Sequence, residues 1–181
     1  RFSLMLAVIA GIIICFNSII SLRVPDIIVD ARMGTATTAG TVLSLMQLTG
    51  IVAGVGFASL THVFKKNLLM IMCFGFGLAL ALIGLSGQLW SLVLGTLLAG
   101  FTYSTGVTSI FYHLSEKIPT NLLNLATSLV LIGCNLGSAV SSFFIQLVTP
   151  LAPSNHLLFV WIGALMLLTG VFASQLLART K

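Results

Sequence analysis

The stretch LIGCNLGSAVSSF, Leu131–Phe143, combines an apolar composition with small residues spaced four apart: Gly133, Gly137 and Ser141. At about 100° per residue these positions form one narrow stripe of a helix. A neighbouring backbone can approach closely along such a stripe, because small residues leave the helix surface bare. We therefore predict that this segment is a membrane helix that packs through Gly133 and Gly137.

A second stretch, LTGIVAGVGFASL, Leu48–Leu60, repeats this spacing with Gly50, Gly54 and Ala58. The two copies lie 83 residues apart (133 minus 50) in a chain of 181 residues. Glycines spaced four apart are common in any membrane helix, so one copy alone indicates only close packing. The recurrence after nearly half the chain indicates two similar halves, and we predict Gly50 and Gly54 as packing positions.

The composition is that of a membrane protein. Hydrophobic residues make up 58% of the chain and charged residues only 6%, whereas soluble proteins carry about 25% charged residues. In so apolar a chain the net charge of +5 indicates membrane topology rather than a nucleic-acid partner. The cysteines are odd in number and widely spaced, which predicts free buried thiols and neither a disulfide framework nor a metal site. They are Cys15, Cys73 and Cys134.

Six apolar runs of about twenty residues predict six transmembrane helices. The runs cover residues 3–22, 38–60, 67–86, 89–112, 122–148 and 157–178. Every Lys, Arg, Asp and Glu lies between the runs or at an end of the chain. The chain opens on Arg1 and an apolar run too long for a signal-peptide core, so we interpret it as a fragment of a longer protein.

The distribution of cations predicts the orientation of the helices. With the N-terminus in the cytoplasm, the cytoplasmic segments carry six Lys and Arg and the outer segments carry two, which satisfies the positive-inside rule. The cytoplasmic set is Arg1, Lys65, Lys66, Lys117, Arg179 and Lys181, and the outer set is Arg23 and Arg32. We expect an integral multi-pass protein of a bacterial plasma membrane, with both termini cytoplasmic.

The connections predict a second symmetry. Long connections, residues 21–35 and 113–121, follow the first and fourth spans, and shorter ones follow the second and fifth. The spans then form two triplets of opposite orientation, about residues 1–87 and 88–181, with the glycine motif in the middle span of each. Inverted repeats are typical of secondary transporters. The predicted fold is a single-domain all-α membrane protein, a six-transmembrane-helix bundle built from two inverted three-helix repeats.

Polar faces on three spans predict a substrate cavity. On the fifth span a polar row lies about 150° from the glycine stripe, facing either a partner helix or, as we favour, a watery cavity. On the fourth span aromatic and hydroxyl side chains share one face and suit a small amphiphilic ligand, although hydroxyls also bond to their own helix. The candidates are Asn17, Ser18, Ser21, Phe101, Ser104, Thr105, Thr108, Tyr112, Asn135, Ser138 and Ser142. Gln47 is predicted to bond to an adjacent helix instead.

Two loops resemble those of the C-terminal six-helix half of a major facilitator superfamily transporter. The stretch FASLTHVFKK is similar to that family's cytoplasmic loop G-x-x-x-D-R-x-G-R-R, with Lys65 and Lys66 at the terminal basic pair. It departs from the pattern at the acidic, first arginine and last glycine positions. After the fourth span, Glu116 and Pro119 match the family's residues before its eleventh helix. By this resemblance the first and fourth spans line a central cavity, the second and fifth flank it, and the third and sixth face lipid.

The resemblance implies a secondary active transporter that works by alternating access, with the lipid bilayer and a missing N-terminal six-helix half as its partners. No charged residue lies within a predicted span, so we expect a neutral or amphiphilic solute, including drug-like compounds, and no proton-relay carboxylate in this half. A nutrient permease of the same superfamily and a non-transporting membrane receptor are the alternatives. We expect no enzyme, cofactor or metal site, because each of the three histidines lies at a span end.

Overall fold

A computed structural model describes residues 2–150, 152 and 154–179, with Lys66 and residues 176–179 described by their backbone alone. All regular structure in this part of the chain is helical. The helices are α1 (Phe2–Asp30), α2 (Ala36–Phe64), α3 (Leu68–Gly84), α4 (Leu89–Lys117), α5 (Thr120–Val148) and α6 (Asn155–Arg179). A 3₁₀ turn, Lys65–Asn67, joins α2 to α3. The prediction of an all-α bundle is therefore confirmed for the described residues.

Within the described residues, five helices are long and apolar enough to cross a bilayer. The exception, α3, has 17 apolar residues and is about 25 Å long. Large apolar side chains stay exposed on the outside of the bundle, among them Val55 at 84% and Trp90 at 77%. Trp90 lies in the first turn of α4 and Trp161 in the second turn of α6, near helix ends where aromatic side chains suit a membrane interface. These features fit an integral multi-pass membrane protein.

The predicted long connections after the first and fourth spans are wrong. Helix α1 continues to Asp30, with Pro25 inside it, and α4 continues to Lys117. Only residues 31–35 separate α1 from α2, and only residues 118–119 separate α4 from α5. Hydropathy marks the end of an apolar surface, whereas a helix ends where its backbone hydrogen bonds end, so polar residues can prolong it. Connection length consequently gives no support to an inverted repeat.

The helices pack in a crosswise pattern. Helix α5 packs mainly on α1, α2 packs mainly on α4, and α3 lies between α4 and α6. Because α3 is covered on two sides, its exposed surface is a narrow stripe of Phe74, Leu78 and Leu82. This exposed surface is smaller than the resemblance to the major facilitator superfamily implies for a lipid-facing third span. Helices α2 and α5 bury the fewest side chains of the five long spans and leave most of their surface open.

The α1–α5 crossing brings two backbones together at the glycine stripe. A Cβ added at Gly133 would overlap the Ala7 carbonyl oxygen, and one at Gly137 would overlap the Gly11 carbonyl oxygen. In the opposite direction, a Cβ at Gly11 would lie 2.9 Å from the Gly133 oxygen. The bare stripe of α5 is therefore filled by the backbone of α1, which is close packing of the kind that small residues permit.

The α2–α4 crossing uses a different glycine from the one expected. A Cβ at Gly100 of α4 would overlap the Met46 carbonyl oxygen, whereas one at Gly50 would lie 3.4 Å from the Ser104 Cβ, an ordinary contact. Gly54 is exposed, and a Cβ there would meet nothing within 4 Å, so Gly54 packs against no other described part of this chain and its packing role stays a prediction. The α2–α4 contact continues past this position, because Ala53 is fully buried and the Phe57 ring meets the Tyr112 ring of α4, so Gly54 lies on a side of α2 that faces away from α4.

The turn between α2 and α3 holds a strained lysine. Lys65 has φ 46° and ψ −124°, a conformation that favours glycine, while Phe64 has an ordinary φ of −93°. In the loop pattern of the resembling family the last glycine corresponds to Phe64, so the chain turns one residue later than that pattern suggests. The side chain of Lys66, the other residue of the predicted basic pair, lies outside the described residues.

We expect Lys65→Gly to raise the free energy of unfolding by about 1 kcal/mol, because glycine adopts positive φ without the steric cost of a Cβ. Chemical or thermal unfolding of the purified protein measures the change. Asn67→Gly is the matched control, since Asn67 has φ −86° and glycine there adds only backbone entropy to the unfolded state. A Lys65→Gly protein no more stable than the wild type would contradict the assigned backbone conformation.

Candidate solute cavity

Helix α5 has three distinct faces. Its buried face packs on the bundle and comprises Ala126, Val130, Cys134, Ser141 and Ile145. Its exposed apolar face includes Leu125, Ile132, Leu136 and Phe143. Between them runs an exposed row that we call the polar stripe: Asn124, Ser128, Asn135, Ser138, Ser142 and Gln146. The predicted cavity residues of α5 thus lie together on one open face along most of the helix.

Helix α1 adjoins the polar stripe at its middle. The Ser18 hydroxyl donates a hydrogen bond to the Ser138 hydroxyl at 3.3 Å, and the Ser21 hydroxyl donates to the Asn17 carbonyl at 3.3 Å. The side-chain oxygen of Asn17 is buried and has no hydrogen-bond partner among the described residues. A buried acceptor without a donor costs about 1–3 kcal/mol, and its burial keeps this oxygen out of reach of a solute in the described arrangement.

The hydroxyl row of α4 is used for packing. Thr105 is fully buried and donates to the Phe101 carbonyl at 2.9 Å, so the structure does not place it at a cavity. Ser104 donates to the Gly50 carbonyl of α2 at 3.0 Å, which makes it a contact between helices. Thr108 is half-buried and donates to the Ser104 carbonyl at 2.9 Å. Backbone carbonyls satisfy these hydroxyls, as the alternative interpretation of the sequence allowed.

Two aromatic candidates of α4 keep open surface. Phe101 is half-buried, and Tyr112 is exposed at the end of the α2–α4 seam. The Tyr112 ring meets the Phe57 ring of α2 edge-on, with centroids 6.2 Å apart, and also the neighbouring His113 ring at 5.6 Å. Of the predicted α4 set, Phe101, Thr108 and Tyr112 are therefore accessible at least in part.

Thr49 makes the hydrogen bond to the adjacent helix that the sequence predicted for Gln47. Its hydroxyl bonds to the Met46 carbonyl at 2.7 Å and to the Leu97 carbonyl of α4 at 3.0 Å. Gln47, predicted to bond to the adjacent helix, is exposed. The spacing of Gly100 and Ser104, again four apart, was the sequence signal for this seam and was missed.

The predicted loop residues Glu116 and Pro119 lie at the end of α4, on either side of Lys117. Glu116 places a carboxylate oxygen 3.6 Å from Nδ1 of His113. The Lys117 ammonium lies 5.3 Å from the centroid of the Phe2 ring of α1, a cation–π distance. Pro119 is the N-cap residue of α5, with φ −56°. These residues join the ends of α1, α4 and α5.

A separate apolar groove of about 780 Å³ lies between α1, α5 and α6. Leu136, Phe144, Leu165 and Phe172 are among its walls, and Thr169 supplies its only hydroxyl among the described lining residues. That hydroxyl already donates to the Leu165 carbonyl at 2.9 Å. None of the predicted cavity residues lines this groove, which lies on the apolar side of α5.

Across the described part of the chain, no three His, Cys, Asp or Glu side chains are grouped so that they could hold a metal ion. The three cysteines are free and buried, as predicted. No protein-family model and no curated protein match the sequence.

Proposed function

We propose that this chain is half of a secondary active transporter that moves a small neutral or amphiphilic solute by alternating access. The observation that carries the proposal is the open polar stripe of α5, connected to α1 by the bond between Ser18 and Ser138. Lipid tails offer no partners to amide and hydroxyl groups. A row of such groups along an otherwise apolar helix is therefore suited to a water-filled cavity or a polar partner.

The arrangement of helices supports a missing six-helix half as the partner. Helices α2 and α5 leave most of their surface open, as helices that flank a shared cavity would. The crosswise pairs support two inverted three-helix repeats in part: a two-fold axis that exchanges α1 with α4 and α2 with α5 exchanges the α1–α5 and α2–α4 contacts, whereas the extensive α3–α4 contact has only a slight α1–α6 counterpart. The resemblance to the major facilitator superfamily and a plasma-membrane location with cytoplasmic termini belong to the same proposal.

The chemistry of the polar stripe favours an uncharged solute. Amides and hydroxyls can donate and accept hydrogen bonds but cannot balance a solute charge. The apolar groove of about 780 Å³ is a poorer candidate. The Thr169 hydroxyl is already bonded within its own helix, and no other described lining residue orients a polar group of a solute. The second candidate is a nutrient permease, in which the same polar stripe would bind a sugar.

Transport of a neutral amphiphile tests the proposal. We expect the intact protein in proteoliposomes to move radiolabelled chloramphenicol, and Asn135→Leu to reduce the initial rate at least tenfold because it removes an amide from the middle of the stripe. The matched control is Ile132→Ala, on the exposed apolar face of the same helix. Radiolabelled glucose in place of chloramphenicol separates the nutrient alternative.

Binding and transport measured on the wild-type protein distinguish a transporter from a non-transporting receptor. Saturable binding of chloramphenicol or glucose without movement across the membrane would favour a non-transporting receptor. Equal transport by Asn135→Leu and wild type would remove the stripe from the solute path.

A further inference from the structure

The last turns of α4 bury polar side chains that the proposed solute cavity does not use. Ser109 is 0% exposed and His113 is 2% exposed. The Ser109 hydroxyl oxygen and both ring nitrogens of His113 have no hydrogen-bond partner among the described residues. Residues four apart on a helix are neighbours, with Cβ atoms about 5–6 Å apart. Three unpaired polar atoms on one buried face cost several times about 1–3 kcal/mol, which packing alone does not explain.

Glu116 connects this buried pair to the surface. Its side chain is 56% exposed, yet one carboxylate oxygen lies 3.6 Å from Nδ1 of His113. An imidazolium at His113 would donate its Nδ1–H to that oxygen after a shift of less than 1 Å, because charge-assisted bonds are about 2.7–2.9 Å long. Its Nε2–H could use the Ser109 hydroxyl, since a hydroxyl accepts as well as donates. Histidine is also the side chain whose charge ordinarily changes between about pH 5 and 8.

Burial lowers the pKa of His113, the Glu116 carboxylate raises it, and the Lys117 ammonium lowers it. The helices packed against this end of α4 add few other charges. Residues 2–14 of α1, 68–72 of α3 and 120–133 of α5 contain no titratable side chain, the turn before α3 carries Lys65 and Lys66, and the end of α2 carries His62. The carboxylate of Glu116 is therefore the single acidic group on the segments named here, since Asp26 and Asp30 lie at the other end of α1.

The position of the group ties it to the cavity helix. After Lys117 only Ile118 and Pro119 separate α4 from α5, and the Ile118 amide still donates to the Leu114 carbonyl at 3.0 Å. The Glu116 side chain can approach His113 by rotation about its own bonds, and the short connection places it next to the start of α5, which carries the polar stripe.

We propose that His113, together with Ser109 and Glu116, binds the proton that drives transport, an inference that rests on the transporter function proposed above. The sequence placed His113 at the end of a span and the titrating group in the missing half. The continuation of α4 to Lys117 buries the ring instead and gives it a carboxylate partner one turn away. Proton binding there replaces three unpaired polar atoms by two hydrogen bonds.

Nitrogen-15 NMR of histidine-labelled protein tests the proton site without any solute. The chain has three histidines, and the signals that disappear in His113→Gln are those of His113. We expect these signals to change with pH, and Glu116→Gln to lower the pH of the midpoint because it removes the carboxylate that stabilises the imidazolium. If His113→Gln fails to fold, the His113 signals are those that remain in both His62→Gln and His156→Gln, and Glu116→Gln, which changes an exposed side chain, still tests the site. Signals that do not change with pH, or a midpoint unchanged in Glu116→Gln, would overturn the proton site.

Chloramphenicol transport driven by a pH gradient tests the coupling. We expect the gradient to accelerate wild-type transport and the exposed-site control His62→Gln alike, and to have no effect on Glu116→Gln or His113→Gln. A Glu116→Gln protein with wild-type gradient dependence would overturn the coupling role while the NMR result stands. If the wild type moves neither chloramphenicol nor glucose, the transporter function fails and the coupling role fails with it, whereas NMR still decides the proton site.

Discussion

Gly137→Leu is expected to lower the free energy of unfolding by about 3 kcal/mol or more, at the top of the range for overpacked sites. A Cβ at this position would overlap the carbonyl oxygen of Gly11, so the obstacle is the backbone of α1 and not a side chain that could rotate away. Relief requires α1 and α5 to move apart. That movement would also open the neighbouring contact of Gly133 with Ala7.

Unfolding of the purified protein in detergent, followed by circular dichroism, measures this effect. Gly54→Leu is the matched control, because the same change at an exposed glycine with nothing within 4 Å of its Cβ adds helix propensity and no clash. We expect the control to be as stable as the wild type or more stable, by up to about 1 kcal/mol. Equal losses in the two variants would show that the α1–α5 crossing is looser than described.

Thiol accessibility gives the second large effect. In a protein with Cys15, Cys73 and Cys134 replaced, we expect cysteine at Asn135 or Ser138 to react with a small aqueous maleimide at least a hundredfold faster than cysteine at Ile132. The three positions share one helix and are all exposed, so they differ in the environment of their face and not in depth within the fold. A hydrated thiol forms the reactive thiolate, whereas a thiol against lipid does not.

A cysteine at Thr105 is the buried control and is expected to stay unreactive, since that side chain is fully buried. Comparable rates at Asn135 and Ile132 would mean that the polar stripe is not wetted, and the cavity assignment would fail. Protection of Asn135 and Ser138 by chloramphenicol, with Ile132 unchanged, would place the solute on the stripe.

Hydropathy alone predicted the number and order of the helices. The apolar runs were long enough that no other element fits them in a bilayer, where every backbone polar group needs an internal partner. The ends were missed at α1 and α4, because charged residues between Arg23 and Asp30 and between His113 and Lys117 interrupt the apolar runs while the helices continue. That error concealed His113, whose burial depends on the continuation of α4.

The sequence by itself determined what each helix face is made of. The glycine stripe and the polar stripe of α5 follow from a 3.6-residue period applied to one string of letters. Which glycines touch a neighbour was decided only by the tertiary structure. Gly54 and Gly137 occupy equivalent places in their motifs, yet one is open and the other meets the backbone of Gly11. The sequence shows which side of a helix is bare, but only the position of the neighbouring helix decides which of the small residues on that side it covers.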